Sequence, residues 1–530
     1  MVAAATALGV AELVAVTTSP RSTPLVAVSG VVIDNVPEGT KSLAIRLFGV
    51  HDKQALLIGT TLLLALFAAG IGVLAISRPR WGTAGIGAFA AIGMAAALTR
   101  SGATAGWAVP SLVGGTAGAW VLWYLGRFLP GEPAEPASAE PASTEPTPAQ
   151  ATLTDATPAD APPAQATPSV QPVEAGPDRR RFLKVVAATV AGAAIVGTFG
   201  RSLAQRRNVS GARQSVVLPT PSGPPATAPA GAELSVPGLA TYTTSNERFY
   251  RIDTAVVVPQ IDPETWALRI RGRVRNPIML TFEDLLRRPM IERYVTLACV
   301  SNEVGGDLIG NARWLGVPVK DLLDEADPEL GADQVVSRSV DGFTAGTPTA
   351  VLRDGRDAMI AIGMNGAPLP VEHGFPARMV VPGLYGYVSA TKWLAELELT
   401  SFADFDAYWV PRGWAPRAPI KTQSRIDVPR RRATIPAGPV TVAGVAWAQH
   451  RGISAVEVRA DDGPWLPATL AETASVDTWR QWLWRWDATP GQHRLQVRAT
   501  DRDGQVQTEQ DAPPAPNGAT GYHTIQVTAA

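Results

Sequence analysis

A chain of 530 residues with a single cysteine has room for about two to four folded units and excludes an intramolecular disulfide framework and a cysteine-rich zinc site. Its 46 Lys and Arg against 47 Asp and Glu exclude a general nucleic-acid binder, which needs a clear basic excess. Charged residues are only 18% and the apolar ones crowd into the first 200 positions, so membrane segments are expected.

In chain order, Met1–Val16 is apolar apart from Glu12. It has neither a basic start nor a cleavage site, so it reads as a first spanning helix rather than a signal peptide. Glu12 reads as a helix-end residue near water. Ala55–Ile76 runs 22 residues without a charge, Trp81–Thr99 runs 19 and Ser101–Gly126 runs 26. Each can cross a hydrocarbon core of about 30 Å, which makes residues 1–130 a transmembrane region of about four spans. Five histidines are present, and of them only His51 is near these helices, the others being His373, His450, His493 and His523. A bis-His haem is therefore not expected within this chain, and the helices read as an anchor or a docking surface for a partner.

Residues 131–178 contain 11 Pro, 12 Ala and 8 acidic residues, with no aromatic and no basic residue. Such a composition predicts a disordered, extended linker. In segment 179–201, Arg179, Arg180 and Arg181 precede the apolar run Val185–Gly200. This reads either as a twin-arginine address for export in the folded state or as the basic flank that orients a last helix. Both readings put Arg179–Arg181 in the cytoplasm and everything after about residue 201 outside. Arg78 and Arg80 then fall inside, in agreement, whereas Lys41, Arg46 and Lys53 fall outside, against the rule. A shorter Pro/Ala/Ser/Gly stretch, Pro219–Ala232, is expected to separate the last helix from the exported body.

Residues 233–422 mix strand and helix patterns. Trp266–Val274 alternates as a strand. Thr281 caps a short helix over 281–288. Tyr294–Cys299 is a second strand, and Val319–Ala326 a second helix. Residues 423–528 differ. Val440–Trp447, Ala455–Ala460, Trp479–Trp486 and His493–Ala499 alternate between turns, which predicts an all-β sandwich. Alternation puts Trp482, Trp484 and Trp486 on one face, as core or interface rather than as a sugar-binding strip.

The chemistry gathers at Cys299, which ends a strand and enters the Gly-rich loop Val300-Ser-Asn-Glu-Val-Gly-Gly-Asp307. A thiolate is a soft ligand suited to a redox metal, and a buried free thiol is an equally good reading of position alone. The surroundings resemble the sulfite oxidase family of molybdenum enzymes. Cys299, Asn302, Gly306, Ala312, Arg313, Trp314, Gly316 and Val317 fit the family's cysteine signature. His373, Arg378, Ser389 and Lys392 fall at matching places of its cofactor-clamping segment, as do Tyr250 and Arg251 in Asn246–Asp253. The tail resembles the family's Ig-like dimerisation domain. The resemblance covers roughly residues 235–526 and implies three parts: N-terminal transmembrane α-helices, an α+β molybdopterin domain and an Ig-like β-sandwich.

What the resemblance implies for function is a membrane-anchored molybdopterin oxidoreductase, acting outside the cytoplasm by oxygen-atom transfer. Cys299 is the implied metal ligand. Asn246, Tyr250, Arg251, His373, Arg378, Ser389 and Lys392 are the implied cofactor contacts, with Arg251 also touching substrate. Mo-molybdopterin is the implied cofactor, an external electron carrier the implied partner, and a homodimer through the tail a further expectation. The match departs from sulfite oxidase at two places. Glu303, Val304 and Gly305 stand where that enzyme has an arginine after its cysteine, and Phe343 stands near its active-site tyrosine. The anion pocket is thereby weakened, so a sulfoxide-type reductase with the same cofactor is a second expectation. A cofactor-free binding or adhesion module on the same fold is a third.

Overall fold

The computed structural model describes residues 1–36, 40, 47–48, 52–100, 103–127, 184, 187, 189, 191–192 and 209–530. Lys41, Arg46, His51, the 131–178 linker, Arg179–Arg181 and most of Val185–Gly200 lie outside the described residues. Contacts divide the chain into two compact units. The first comprises Met1–Leu25, Gly59–Ala95 and Ala108–Arg201, and the second Val26–Ile58, Ala96–Trp107 and Ser202–Ala530.

Among the described residues, three helical stretches, which fall mostly in the first unit, are long and apolar enough to cross a membrane: Ala55–Ala75, Arg80–Leu98 and Ala105–Gly126. The first helix, Val2–Ala15, has 14 residues. At about 1.5 Å per residue it falls short of a hydrocarbon core, a difference from the expected first span. Small residues set its packing. A Cβ on Gly114 would lie 2.4 Å from the Ala7 carbonyl oxygen, and one on Gly118 2.9 Å from that of Ala3. This i, i+4 glycine pair lets the Val109–Gly126 backbone approach the first helix closely.

The body in the second unit has two sheets, one mixed and one antiparallel. One orders strands 278–281, 267–272, 394–400, 334–339 and 344–348, with Ala267–Gly272 parallel to Leu394–Thr400. The other orders 291–298, 309–318, 359–364 and 367–368, and Arg378–Val380 also pairs with Met359–Met364. Thr281 caps the helix Phe282–Leu286 through a capping box with Asp284, which satisfies amides that the first turn leaves open. Val319–Ala326 is helical as its pattern predicts and buries Val319, Leu322, Leu323 and Ala326.

The body begins earlier than residue 233. Val209 is buried in the core around Trp314. Arg213 donates to the Leu369 and Pro368 carbonyls at 2.7 and 2.6 Å. Pro219–Ala232, expected as a spacer, lies on the body instead: the Ser222 amide donates to the Met290 carbonyl at 2.8 Å and the Ala226 amide to Glu292 at 3.0 Å. The five prolines of this stretch carry no N–H, which reduces the donors to be satisfied, so a few bonds suffice to lay an extended chain along a surface.

The β-rich tail has a sheet ordered 423–428, 438–447, 480–488, 469–470 and another ordered 434–435, 523–529, 491–501, 453–460, 466–467. One core draws Val442, Ala446, Trp482, Trp484 and Trp486 from the first and Val456, Val458, Leu495, Val497 and Ile525 from the second. The three tryptophans are thus core residues, as alternation predicts. Trp447 and Trp479 instead join the core of the body.

Candidate active site

Strand Ile291–Ala298 pairs with Ile309–Pro318, and the Cys299 amide continues the ladder to the Leu308 carbonyl at 2.9 Å. The loop between them is closed by Asn302, whose Oδ1 accepts from the Leu308 amide at 2.8 Å. The tail braces the same loop. Arg425 Nη1 donates to the Gly306 carbonyl at 2.7 Å. Gly305 has φ +79°, and a Cβ there would come within 2.2 Å of the His523 ring. Only glycine meets both demands.

Cys299 is buried, and it lines a cavity of about 890 Å³, open space at its mouth included, together with Tyr250, Asp253, Phe343, Arg378 and Lys392. Tyr387, Trp393, Trp409 and Trp414 complete an aromatic wall. Burial pushes the Cys299 thiol up, opposed by hydrogen bonds to Ser301 and by the Lys392 charge. Burial and the neighbouring Cys299 push the Tyr250 phenol up, so its hydroxyl keeps its proton at neutral pH.

The second segment is built on a turn at Gly374, φ +113°, where a Cβ would crowd the Cβ atoms of Arg378 and Lys392 at 3.1 Å each. Arg378, 4% exposed, sits opposite Ala361 in the sheet. Its guanidinium lies 5.0 Å from the centroid of the Trp314 ring and donates to the carbonyls of His373 at 3.0 Å and of Met379 and Ala390 at 3.4 Å. Among the described residues no carboxylate pairs with it, and burial lowers it to about 10. Lys392 Nζ donates to Asp253 and to the Glu372 carbonyl at 3.0 and 3.1 Å.

His373 stands one layer behind the cavity wall, with its ring 5.6 Å from that of Phe249. Its Nε2 lies 3.0 Å from the Asn246 carbonyl oxygen. A carbonyl only accepts, so Nε2 carries the proton and Nδ1 is left as an acceptor. Nδ1 is buried and has no partner among the described residues. Burial, with the Lys392 and Arg378 charges, lowers the imidazole to about 3, so the ring is neutral.

Of the eight residues singled out in the sequence, Cys299, Tyr250, Arg378 and Lys392 face one cavity. Asn246 holds His373 and turns its own amide to Asn365 and Met364. Arg251 is tied to Asp253 at 3.0 Å. The Ser389 hydroxyl donates to the Tyr385 carbonyl at 2.9 Å, toward the backbone. Sequence reasoning missed Asp253, which takes both Lys392 and Arg251, although its place two residues after Arg251 was a usable signal. It also missed Tyr387, Trp409 and Trp414, whose convergence no spacing reveals.

The arrangement is an enclosed, cation-bearing chamber with one sulfur and one open imidazole acceptor nearby. It suits an anionic group that carries ring donors. Comparisons agree with that chemistry. The family model for the oxidoreductase molybdopterin binding domain matches residues 255–409. Human mitochondrial sulfite oxidase is 30% identical over 321 residues, 51% of this chain and 58% of that protein. The chain thus spans little more than half of that relative's length. The uncharacterized oxidoreductase YuiH of Bacillus subtilis is 33% identical over 181 residues, 34% of this chain and 85% of that protein. Among solved structures, the sulfane dehydrogenase SoxCD of Paracoccus pantotrophus aligns at 25% identity and TM-score 0.48, covering 55% of this chain and 82% of that one. By the family model and by its likeness to YuiH and to sulfite oxidase, the chain belongs to the sulfite oxidase family of molybdopterin oxidoreductases.

Proposed function

We propose that this chain is a membrane-anchored oxidoreductase that holds one molybdenum on one pyranopterin, with Cys299 Sγ as the protein's ligand to the metal. The observation that carries the reading is Arg378, a buried guanidinium without a carboxylate partner among the described residues. A buried cation is costly unless an anion meets it, and the pterin phosphate is such an anion. Behind the wall, His373 keeps a buried Nδ1 acceptor without a partner among the described residues. The residues present therefore fit the cofactor. When bound, it supplies a two-electron redox centre for oxygen-atom transfer or its reverse.

The chain's own residues divide the remaining work. Arg378 offers a planar fork to phosphate oxygens, and Lys392 adds a charge held in place by Asp253. Cys299 fixes the metal's position at the end of a rigid strand. Phe343, Tyr387, Trp409 and Trp414 exclude water from the reacting atoms. Tyr250 holds a proton at Oη beside Cys299. Asn246 and Ser389 act from behind the wall, as supports of His373 and of the 384–389 turn.

A second reading concerns substrate and direction. Arg251 is turned to Asp253, which it shares with Lys392, and Phe343 lines the wall. Both features favour a neutral sulfur–oxygen substrate over sulfite, and with it reduction as in the sulfoxide-type relatives. Electrons pass to or from an external carrier in either direction.

Connectivity supports placing the catalytic body outside the cytoplasm. Counting Ala55–Ala75 and Arg80–Leu98 as spans returns Arg100 to the side of Asp34. Ala105–Gly126 as a third span and, on its apolar sequence alone, Val185–Gly200 as a fourth bring the body to that same side. This parity holds whether or not the first helix spans. Asp34 pairs with Arg100 at 2.7 Å and accepts from Tyr408 of the body at 2.6 Å, which supports it. Arg78 and Arg80 lie on the opposite, cytoplasmic side, so the body works outside, with the Arg179–Arg181 segment as its export signal. The two sheets of the tail over one core support an Ig-like reading, and its bonds to the Cys299 loop give it a supporting role beyond any dimer contact.

Full-length protein expressed with molybdate and purified in detergent tests the proposal. The expected result is one molybdenum and one pterin per chain. Folded protein without molybdenum overturns it and leaves the cofactor-free binding module. A dye-linked assay run in both directions then separates oxidase from reductase.

A further inference from the structure

Residues 26–35 and 96–107 sit outside the catalytic body in sequence yet share its compact unit. Helix Pro24–Asn35 and the turn after Leu98 meet in a small core of Ala27, Ala96, Ala97 and Trp107. A Cβ on Gly30 would lie 2.9 Å from Arg100 Nη1, so the glycine leaves room for that guanidinium to lie against the helix. One turn further, on the same face, Asp34 receives it at 2.7 Å.

The other oxygen of Asp34 accepts from the Tyr408 hydroxyl at 2.6 Å. The Arg412 guanidinium stacks 3.8 Å over the Tyr408 ring and reaches to 4.0 Å from Asp34. The Tyr408 amide donates to Thr344 Oγ1 at 2.9 Å. From Tyr408 the rings continue into the cavity wall. Phe343 and Trp409 lie 5.8 and 5.1 Å from it, and Trp414 lies 6.2 Å from Trp409. These three line the chamber that contains Cys299.

We propose that Asp34 is a positioning residue of the pocket: through Tyr408 it holds the Phe343–Trp409–Trp414 wall in place, so that the anchor controls access to Cys299. The chemical importance of that access rests on the reading of Cys299 as the metal ligand, but the mechanical claim does not. Burial and the bond to Asp34 both push the Tyr408 phenol up, and the hydroxyl remains a donor across the range in which a membrane enzyme works. A charged acceptor makes this a strong hydrogen bond, and the stacked guanidinium restrains the ring further. Without Asp34 the wall keeps its aromatic contacts and loses its tether.

The chain's single cysteine makes the test site-specific. Cofactor-free full-length protein in detergent is treated with a small maleimide, and the rate of modification at Cys299 is followed by mass. Tyr408→Phe removes one hydroxyl, and Asp34→Asn removes one charge. Both are expected to react about tenfold faster than the parent, while Asp462→Asn, on an exposed turn of the tail, reacts at the parent rate. In molybdenum-loaded protein the same two variants are expected to change KM for an artificial dye more than kcat. Parent-like modification rates in both Tyr408→Phe and Asp34→Asn overturn the proposal. Should either variant fail to fold, Arg100→Gln replaces it, since it loosens Asp34 without altering the body, and the same outcomes apply. The modification requires no metal, so absence of molybdenum sinks the functional reading alone, and unchanged modification sinks the tether alone.

Discussion

Replacing Arg378 with methionine separates ligand binding from folding, because the two respond with different size. In the folded chain the guanidinium falls from 12.5 to about 10, which corresponds to about 3 kcal/mol against the buried charge. Methionine removes that penalty. It also removes one good hydrogen bond, to the His373 carbonyl at 3.0 Å, and two long ones at 3.4 Å. Leaving the first acceptor unmet costs about 1–3 kcal/mol, and the long ones less. The two effects nearly cancel, so the cofactor-free protein should unfold within about 1–2 kcal/mol of the parent. Binding is another matter. A fork on phosphate makes two charge-assisted bonds of about 1.5–3 kcal/mol each, so cofactor affinity should fall by a factor on the order of 100 or more. Urea unfolding of the cofactor-free protein gives the first quantity; molybdenum and pterin content after extended dialysis give the second. Arg378→Lys should fall between, since it keeps a charge but not the planar fork. If the methionine variant retains its full molybdenum and pterin, Arg378 does not hold the phosphate and the functional reading loses its main support. If it unfolds outright without cofactor, the charge is compensated by the protein and the reasoning fails at its first step.

Cys299→Ser should fold with a stability near that of the parent, because the side chain shrinks only slightly, and should lose most of its molybdenum; metal analysis beside a thermal melt checks both. The acid limb of stability should report His373. Its folded pKa of about 3 is below the unfolded value, so the unfolded chain binds the extra proton and stability falls as pH drops through 6.5 toward 3. Between pH 6.5 and 4.5 this amounts to about 2 kcal/mol, and His373→Gln should flatten that limb by the same amount in urea titrations of cofactor-free protein. An identical slope in parent and variant would contradict a neutral buried ring. Gly305→Ala should destabilise by about 2 kcal/mol or more, since it joins a positive φ to a clash with the His523 ring, and should lower metal content as the Cys299 loop shifts. Trp482→Ala should cost about 3–5 kcal/mol from the tail core, seen as an early, separate transition in calorimetry.

What the sequence made legible was whatever depends on neighbours along the chain. Alternation put Trp482, Trp484 and Trp486 on one face, and that face is core, because the strand period alone decides it. Thr281 and Asp284 declared a capping box three residues apart, and the Val319–Ala326 pattern needed only its own period. Pro219–Ala232 shows the limit of composition: its residues satisfy the pattern of a spacer, yet a few bonds to Met290, Glu292 and Arg313 lay it on the body. The site divides in the same way. Cys299 and Arg378 were found because their motifs are local. The aromatic wall was not, because Phe343 and Trp409 are separated in the chain by five strands and are joined through Tyr408. Most remote of all is Asp34, which is 374 residues from Tyr408. Nothing in an apolar twelve-residue segment marks its one acid as part of a distant pocket. Only the closed fold, by bringing a carboxylate to a phenol at hydrogen-bond distance, joins the Pro24–Asn35 helix to the residues around the Cys299 chamber.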